Sequence, residues 1–342
     1  MTPLKICLLG GTRFIGYFLT EQLLNAGHEV TLFNRGQTRD DFGDRVERVK
    51  GDRYDYSQLK QLLGKKEFDV VIDLIAYQAA DSQAAVDLWA GKIAHFIHLS
   101  TAAVYVVTQD YPAPLREEDA QRPLLSTPLA NRQLWNYALG KRGCEEVLDQ
   151  AHQEQGFPVT MFRLPIVIGE RDYTLRAYSY FLRLKDGQPI ILPDGGHNAF
   201  THVWVGDVAK TIASNLLNTR SYGRVYNLAM ERVETLRSFI KKAAAVMDVQ
   251  PELVNLPAEL LRQAKIELSF SPFFARRPLI LDVSRAREEL NYSSTPLDIW
   301  LPRTIRWFNE EYSGPPPENY AQREKEVILA RRFQQLIETW SE

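Results

Sequence analysis

Cysteine is scarce in this chain, and long runs of apolar residues are missing. Only Cys7 and Cys144 are present among 342 residues, which excludes a disulfide framework and favours a reducing compartment. Charged residues interrupt every apolar stretch before it reaches the length that spans a bilayer. The amino terminus lacks the pattern of a secretory leader. These absences predict a cytoplasmic protein without a membrane contact.

A strong net charge and metal-binding patterns are also lacking. The formal net charge is -2, which gives no global basic field for a phosphate backbone and makes nucleic acid a less favoured partner. His95 and His98 have an odd spacing on an expected strand, so they point to opposite faces. Neither H-E-x-x-H nor paired cysteines occur, and we therefore predict no metal site.

The first half of the chain alternates strand and helix patterns. This alternation is typical of a parallel sheet covered by helices on both faces. The expected strands are Leu4–Leu9, His28–Phe33, Val46–Lys50, Asp69–Ile75, Ile93–Leu99 and Val159–Val167. The expected helices are Phe14–Asn25, a short helix capped by Ser57 that ends at Leu63, Asp81–Ala90 and Asn131–Gln155.

Beyond Gly169 the pattern changes to short helices and strands mixed with turns. We predict an α/β fold in which a doubly wound parallel sheet occupies residues 1–168, with returning segments near 201–230. A smaller α+β substrate lobe occupies most of 169–342. The segments expected in this half are Val208–Leu217, Val225–Leu228, Leu236–Met247 and a charged surface helix at Tyr320–Trp340.

A glycine-rich turn joins the first strand to the first helix. Its sequence is Gly10-Gly11-Thr12-Arg13-Phe14-Ile15-Gly16. Gly10 permits a tight turn, Gly16 permits close packing of helix on strand, and the helix N-terminus presents N–H groups to a pyrophosphate. In this context the seven residues predict a Rossmann-type dinucleotide-binding site. An ordinary strand-to-helix turn is the alternative.

The residues after the second strand bear on the choice of cofactor. A carboxylate there would bind the adenosine ribose and repel a 2′-phosphate, but this chain has Asn34 followed by Arg35. Together with Arg13 in the glycine turn, this favours NADP(H) over NAD(H). The alternative is that Arg13 lies outward into water.

Other strand ends supply further candidate cofactor residues. Asp52 is placed to meet the adenine amino group, although a turn carboxylate is the alternative, and Ala76 is small enough for the cofactor to pass. The remaining candidates at or beside strand ends are Arg53, Ser100 and Leu164.

Thr101, Tyr137 and Lys141 form a candidate catalytic set. Tyr137 and Lys141 are four residues apart on an expected helix and therefore share a face. A free phenol has a pKa of about 10, and an adjacent ammonium would lower that pKa by favouring the phenolate. Tyr137 then serves as acid or base while Thr101 holds the substrate oxygen. Tyr137 and Lys141 also belong to the candidate cofactor set, because Lys141 is placed to hold the nicotinamide ribose.

With these motifs the chain resembles the extended short-chain dehydrogenase/reductase superfamily, in its NAD-dependent epimerase/dehydratase branch. The resemblance implies that Thr101, Tyr137 and Lys141 are the catalytic triad, that nucleotide sugars are the commonest substrates and that homodimers are the commonest assembly. The features that carry it are Gly10–Gly16, Asp52, Ser100–Tyr105, Tyr137 with Lys141, Arg163–Pro165, Ile168-Gly169 and Val205–Ala209.

Two details narrow the resemblance. The turn Gly10–Gly16, with Phe33-Asn34-Arg35-Gly36, is similar to the group of chloroplast stem-loop RNA-binding proteins and their bacterial relatives. A cofactor-binding RNA or regulatory protein with an idle triad is therefore the alternative to an enzyme. Sugar dehydratases commonly carry Asp and Glu after the catalytic threonine, whereas Ala102 and Ala103 stand here, which disfavours dehydration and leaves epimerisation or simple oxidation and reduction.

Overall fold

The computed structural model describes residues 2–110, 112–275, 277 and 279–341, and divides the chain into two compact units. Unit 1 comprises Met1–Val167, His202–Glu231 and Leu281–Ser294, and unit 2 comprises the intervening segments and the carboxyl-terminal part. The sequence did not predict that Leu281–Ser294 belongs to unit 1. None of the described helices is long and apolar enough to cross a membrane.

Thirteen strands and twelve α-helices are numbered here in chain order within the described residues. The strands are β1 (Lys5–Leu9), β2 (Glu29–Asn34), β3 (Val46–Lys50), β4 (Val70–Asp73), β5 (His95–Thr101), β6 (Val159–Leu164), β7 (Ile166–Ile168), β8 (Ile190–Pro193), β9 (Ala199–Phe200), β10 (His202–Trp204), β11 (Arg224–Asn227), β12 (Glu234–Thr235) and β13 (Leu253–Leu256). The α-helices are α1 (Ile15–Asn25), α2 (Tyr56–Leu63), α3 (Ala79–Trp89), α4 (Ala103–Val106), α5 (Arg132–Gln155), α6 (Arg176–Lys185), α7 (Val205–Ser214), α8 (Leu236–Val246), α9 (Ala258–Gln263), α10 (Ser284–Leu290), α11 (Leu297–Glu310) and α12 (Arg323–Ser341).

Unit 1 is built on a seven-stranded sheet in the order β11-β6-β5-β4-β1-β2-β3. Every neighbouring pair in it is parallel, which confirms the predicted doubly wound sheet. The chain runs outward from β1 in one direction through β2 and β3, and in the other through β4, β5 and β6. This reversal of strand order beside β1 is the place where parallel sheets of this kind bind ligands.

Both faces of the sheet are buried. On one face, α2, α3 and α5 pack on a core that includes Cys7, Leu9 and Phe96. On the other, Leu8 and Leu32 are fully buried near Thr20 of α1, and α1 packs against α7. The near-continuous apolar character of β1 follows from this double covering.

Several predicted ends differ from the structure by one or two residues, and three predictions need a larger correction. The strand expected at Val159–Val167 is split into β6 and β7, because Pro165 has no N–H to donate to the ladder. Helix α2 is capped by Asp55 rather than Ser57, since the Asp55 carboxylate accepts a hydrogen bond of 3.0 Å from the Gln58 N–H. Helix α7 begins at Val205 and ends at Ser214, and Leu217 lies outside it with a φ of 57°.

A buried ion pair anchors the carboxyl-terminal helix within unit 2. Arg183 of α6 and Glu326 of α12 are both fully buried, and the guanidinium makes two bonds to the carboxylate, Nε–Oε2 at 2.9 Å and Nη2–Oε1 at 2.7 Å. Ala330, one turn further along, is also fully buried. The predicted surface helix at Tyr320–Trp340 is thus α12 preceded by a 3-10 turn at Glu318–Gln322, and one of its faces is core.

We expect Glu326→Ala to lower the free energy of unfolding by about 3–5 kcal/mol, because it leaves the Arg183 guanidinium buried without its carboxylate. Urea denaturation followed by circular dichroism measures the change. Glu324→Ala on the exposed face of α12 is the control and should change stability by less than about 0.5 kcal/mol. Equal effects of the two substitutions would contradict the anchoring role of the ion pair.

Candidate functional site

The glycine turn between β1 and α1 has a backbone that only glycine adopts easily. Gly10 and Gly11 have φ of 111° and 97°. A Cβ on Gly11 would lie 2.6 Å from Leu32 Cδ2, and a Cβ on Gly16 would lie 2.7 Å from Gly11 Cα. Glycine is therefore needed at these positions for the turn to pack between β2 and the start of α1, and this tight turn before a helix is the kind that fits the pyrophosphate of a dinucleotide.

Thr20 ties the glycine turn to the first helix. Thr20 Oγ1, in α1, donates to the carbonyls of Gly11 at 3.0 Å and Gly16 at 2.8 Å. Thr20 was not among the predicted residues, and its only signal in the sequence is its position four residues after Gly16 on the same helix face. Phe14 is buried, with φ 45° and ψ -114°, a conformation that is strained for a residue with a Cβ. Arg13 beside it is exposed.

The tip of β2 carries no carboxylate and is flanked by basic side chains. Asn34 Oδ1 accepts a hydrogen bond of 2.7 Å from the Gly36 N–H, and Arg35 is exposed. Lys50, the register partner of Asn34 on β3, lies against Gly36, where an added Cβ would be 3.0 Å from Lys50 Cε. Lys50 was absent from the predicted set, because only strand pairing brings it here.

Asp52 and Arg53, two predicted cofactor residues, are engaged within the protein. The Asp52 carboxylate accepts a hydrogen bond of 3.0 Å from the Tyr54 N–H, which is the arrangement of a turn carboxylate. Arg53 is 2% exposed and its Nε and Nη2 lie 3.1 and 2.8 Å from Asp73 Oδ2. These contacts support a structural role for the Arg53 guanidinium at the end of β4. Ala76, after that strand, is fully buried.

Thr101 is at the last position of β5, at the carboxyl edge of the sheet. Its Oγ1 accepts a hydrogen bond of 3.1 Å from the Ala103 N–H. The neighbouring strand end is Leu164, the register partner of Thr101, and its carbonyl accepts a hydrogen bond of 2.8 Å from the Ala102 N–H. These bonds fix the hydroxyl at the strand end while leaving its proton available to a ligand.

Tyr137 and Lys141 lie one turn apart on α5, near this strand end. Lys141 is 2% exposed, and its Nζ donates to the Leu99 carbonyl at 2.6 Å. Burial lowers the pKa of Lys141, against the opposing effect of nearby acidic groups that include Asp73. The Tyr77 ring faces both side chains, with its centroid 5.0 Å from Lys141 Nζ and 6.0 Å from the Tyr137 centroid.

Ser100, Glu145, Arg163 and Tyr105 form a buried hydrogen-bond network beside the carboxyl ends of β5 and β6. Ser100 Oγ donates to Glu145 Oε1 at 2.5 Å. Glu145 also receives two bonds from Arg163, Nε–Oε1 at 2.9 Å and Nη2–Oε2 at 2.6 Å, and Arg163 Nη1 donates to the Tyr105 hydroxyl at 2.9 Å. Burial raises the pKa of Tyr105 to about 12. The Ser100 hydroxyl, a predicted cofactor group, is therefore engaged by Glu145.

Glu145 was missed as a supporting residue, although its signal is visible in the sequence. It follows Lys141 by four residues and so lies on the same face of α5. Its partner Arg163 is on β6, whose pairing with β5 places it directly opposite Ser100. Only this tertiary pairing identifies the carboxylate as the link between helix and sheet.

The two strand histidines point to opposite faces. His95 lies 2.9 Å from Thr160 Oγ1 and accepts a bond of 3.1 Å from the Leu217 N–H. His98 is fully buried beside Asp73, its register partner on β4, and burial holds its pKa well below the ordinary value. Among the described residues, no group of three potential metal ligands comes together.

Comparison with known proteins identifies relatives of this chain. The model of the NAD dependent epimerase/dehydratase family matches residues 6–229. The chloroplast stem-loop binding protein of 41 kDa b from Arabidopsis thaliana is 31% identical over 265 residues, which are 73% of this chain and 65% of the plant protein. The 2'-dehydrokanamycin reductase of Streptomyces kanamyceticus is 22% identical over 284 residues, 82% of this chain and 77% of that enzyme.

Solved structures share the fold. An epimerase from Methanothermobacter thermautotrophicus superposes with a TM-score of 0.73 at 18% identity, covering 90% of this chain and 93% of that chain. The UDP-glucose 4-epimerase of Thermotoga maritima, solved with UDP-glucose, gives 0.71 at 19% identity, covering 89% and 98%. The family match spans the glycine turn, Thr101, Tyr137 and Lys141, and it confirms the resemblance found in the sequence. The chain therefore belongs to the NAD dependent epimerase/dehydratase family.

Proposed function

We propose that the protein is an NAD(P)-dependent oxidoreductase or epimerase that acts on a carbohydrate-like alcohol or ketone, with Tyr137 as its acid or base. The observation that carries the proposal is the position of Tyr137 on α5, one helical turn before the buried Lys141 ammonium, in the same unit as Thr101 and the glycine turn. A nicotinamide bound there supplies hydride transfer.

Each side chain has a distinct task in this proposal. The Lys141 ammonium uses one N–H on the Leu99 carbonyl and would hold the cofactor ribose with another, while its charge would favour the phenolate of Tyr137. Tyr137 takes the proton from a substrate hydroxyl, or returns it to a carbonyl oxygen. The Thr101 hydroxyl accepts from Ala103 and donates its own proton to the substrate oxygen.

The residues after Thr101 favour epimerisation or oxidation and reduction over dehydration. Elimination of water requires an acid and a base beside the substrate. Ala102 and Ala103 are buried and apolar and transfer no proton. The relative from Streptomyces kanamyceticus carries the name of a reductase, which is consistent with this reading.

We propose a nucleotide sugar as substrate class, a homodimer as assembly and the cytoplasm as compartment. The substrate and assembly follow from the family resemblance, and the Thermotoga maritima epimerase is a neighbour solved with a nucleotide sugar. The free, buried thiols of Cys7 and Cys144 support a reducing compartment.

We expect Tyr137→Phe to reduce turnover by at least about 100-fold, because general acid–base catalysis contributes a factor of this order. A panel of UDP- and dTDP-sugars is assayed with NAD+ and NADP+ for reduced nicotinamide and for epimerised sugar. Tyr222→Phe is the matched control, since the Tyr222 hydroxyl donates to the Ala94 carbonyl at the amino end of the sheet. Full activity in Tyr137→Phe would rule out the assigned role.

We further propose a preference for NADP(H), supported by Asn34 and Arg35 at the tip of β2, by Lys50 beside them at the end of β3, and by the exposed Arg13. We expect NADPH to bind more tightly than NADH. Arg35→Ala should raise the dissociation constant of NADPH by about tenfold and hardly change that of NADH. Nicotinamide fluorescence titrations give both dissociation constants. Arg220→Ala, an exposed arginine just before β11, is the charge-matched control. Tighter binding of NADH would refute the preference.

A second candidate function is a cofactor-binding RNA protein with an idle triad. It is favoured by the 31% identity to a protein named for stem-loop binding. A gel-shift titration with a stem-loop RNA over a range of salt concentrations separates the two functions. Tight, salt-sensitive binding without turnover of any nucleotide sugar would favour the RNA protein.

A further inference from the structure

The Tyr77 side chain belongs to no part of the predicted site, yet it contacts both residues of the proposed acid–base pair. Tyr77 follows β4 and is 39% exposed. Its ring centroid lies 5.0 Å from Lys141 Nζ, within the range of a cation–π interaction, and 6.0 Å from the Tyr137 ring centroid at an interplanar angle of 52°. One aromatic ring therefore faces the ammonium and the phenol together.

The backbone N–H and carbonyl of Tyr77 are both in contact with the protein, and these contacts fix the position of its Cα, from which the ring extends. Its N–H donates to Asp81 Oδ2 at 2.8 Å, and the other oxygen of Asp81 accepts a bond of 3.0 Å from the Tyr56 hydroxyl. Its carbonyl lies against Gly140 of α5, where an added Cβ would be 2.3 Å from the oxygen. Gly140, between Tyr137 and Lys141 in sequence, thus allows the loop to approach the helix closely.

The surroundings of Lys141 leave its charge in need of support. Its hydrogen-bond partner is a neutral carbonyl, that of Leu99. Of the three nearby carboxylates, Asp73 and Glu145 are each bonded to an arginine, Arg53 and Arg163. The third, Asp81, accepts hydrogen bonds from the Tyr77 N–H and the Tyr56 hydroxyl. The titratable groups that act on or are affected by Lys141 are Asp73 of β4, Asp81 of α3, His98 of β5, and Cys144 and Glu145 of α5, with the phenols of Tyr77 and Tyr137 alongside.

We infer that Tyr77 is a positioning residue, whose ring face keeps the Lys141 ammonium charged and aligned with Tyr137. The negative face of the ring stabilises the ammonium, while the bulk of the ring limits access of water. The inference rests on the proposed function, in which Lys141 contacts the cofactor ribose. It concerns the ring alone and assigns no role to the Tyr77 hydroxyl.

The test is the pH dependence of NADPH binding, measured by nicotinamide fluorescence between neutral and alkaline pH. In the wild type, affinity falls as pH rises through the pKa of Lys141, because the ammonium contact is lost. Lys141→Met removes this alkaline fall. Tyr77→Leu, which excludes water without offering a ring face, moves the midpoint to lower pH by about half to one unit. Tyr77→Phe keeps the ring and leaves the midpoint unchanged.

The outcomes distinguish the inference from the function on which it rests. An alkaline fall that Lys141→Met retains would overturn the cofactor contact of Lys141, and the Tyr77 role with it. A fall that Lys141→Met abolishes but Tyr77→Leu does not move would overturn the Tyr77 role alone. An equal shift in Tyr77→Phe and Tyr77→Leu would assign the effect to the hydroxyl and also overturn it. Circular dichroism of each variant over the same pH range checks that the fold is retained.

Discussion

The attachment of helix α5 to the carboxyl edge of the sheet is the constraint on which the candidate site depends. Lys141 binds the Leu99 carbonyl on β5, and one helical turn later Glu145 binds Ser100 on β5 and Arg163 on β6. These bonds fix the position of α5 along its own axis and its rotation about that axis, relative to the strand that ends in Thr101. The same bonds determine the position of Tyr137, which lies one helical turn before Lys141.

Burial of charge explains why several predicted cofactor residues are occupied within the protein. Burial of a guanidinium costs free energy unless the group is paired with a carboxylate. Arg53 is bonded to Asp73, and Arg163 is bonded to Glu145. Ser100 joins the second pair. The strand ends therefore carry buried ion pairs that stiffen the sheet edge, while the proposed cofactor and acid–base roles fall to the glycine turn, Tyr137 and Lys141.

The sequence predicted much of unit 1, because strands and helices there have strong local periodicity. β3 has the expected limits, and β1 and α1 differ from them by one residue at the start. Errors arose where a single residue decides a boundary, as Pro165 does between β6 and β7. Lys50 and Tyr77 could not be assigned to the site in advance, since a lysine ending an edge strand and a tyrosine in a loop have no distinctive pattern of their own.

The sequence by itself determined the glycine turn and the shared helix face of Tyr137 and Lys141, because both depend on residues within a few positions of each other. Tertiary structure alone decided which side chains surround them. Ser100 and Glu145 are 45 residues apart, and Arg53 and Asp73 are 20 apart. Such contacts follow from the pairing of parallel strands and the packing of α5, in which a neutral carbonyl and an aromatic ring, rather than a directly bonded carboxylate, face the Lys141 ammonium.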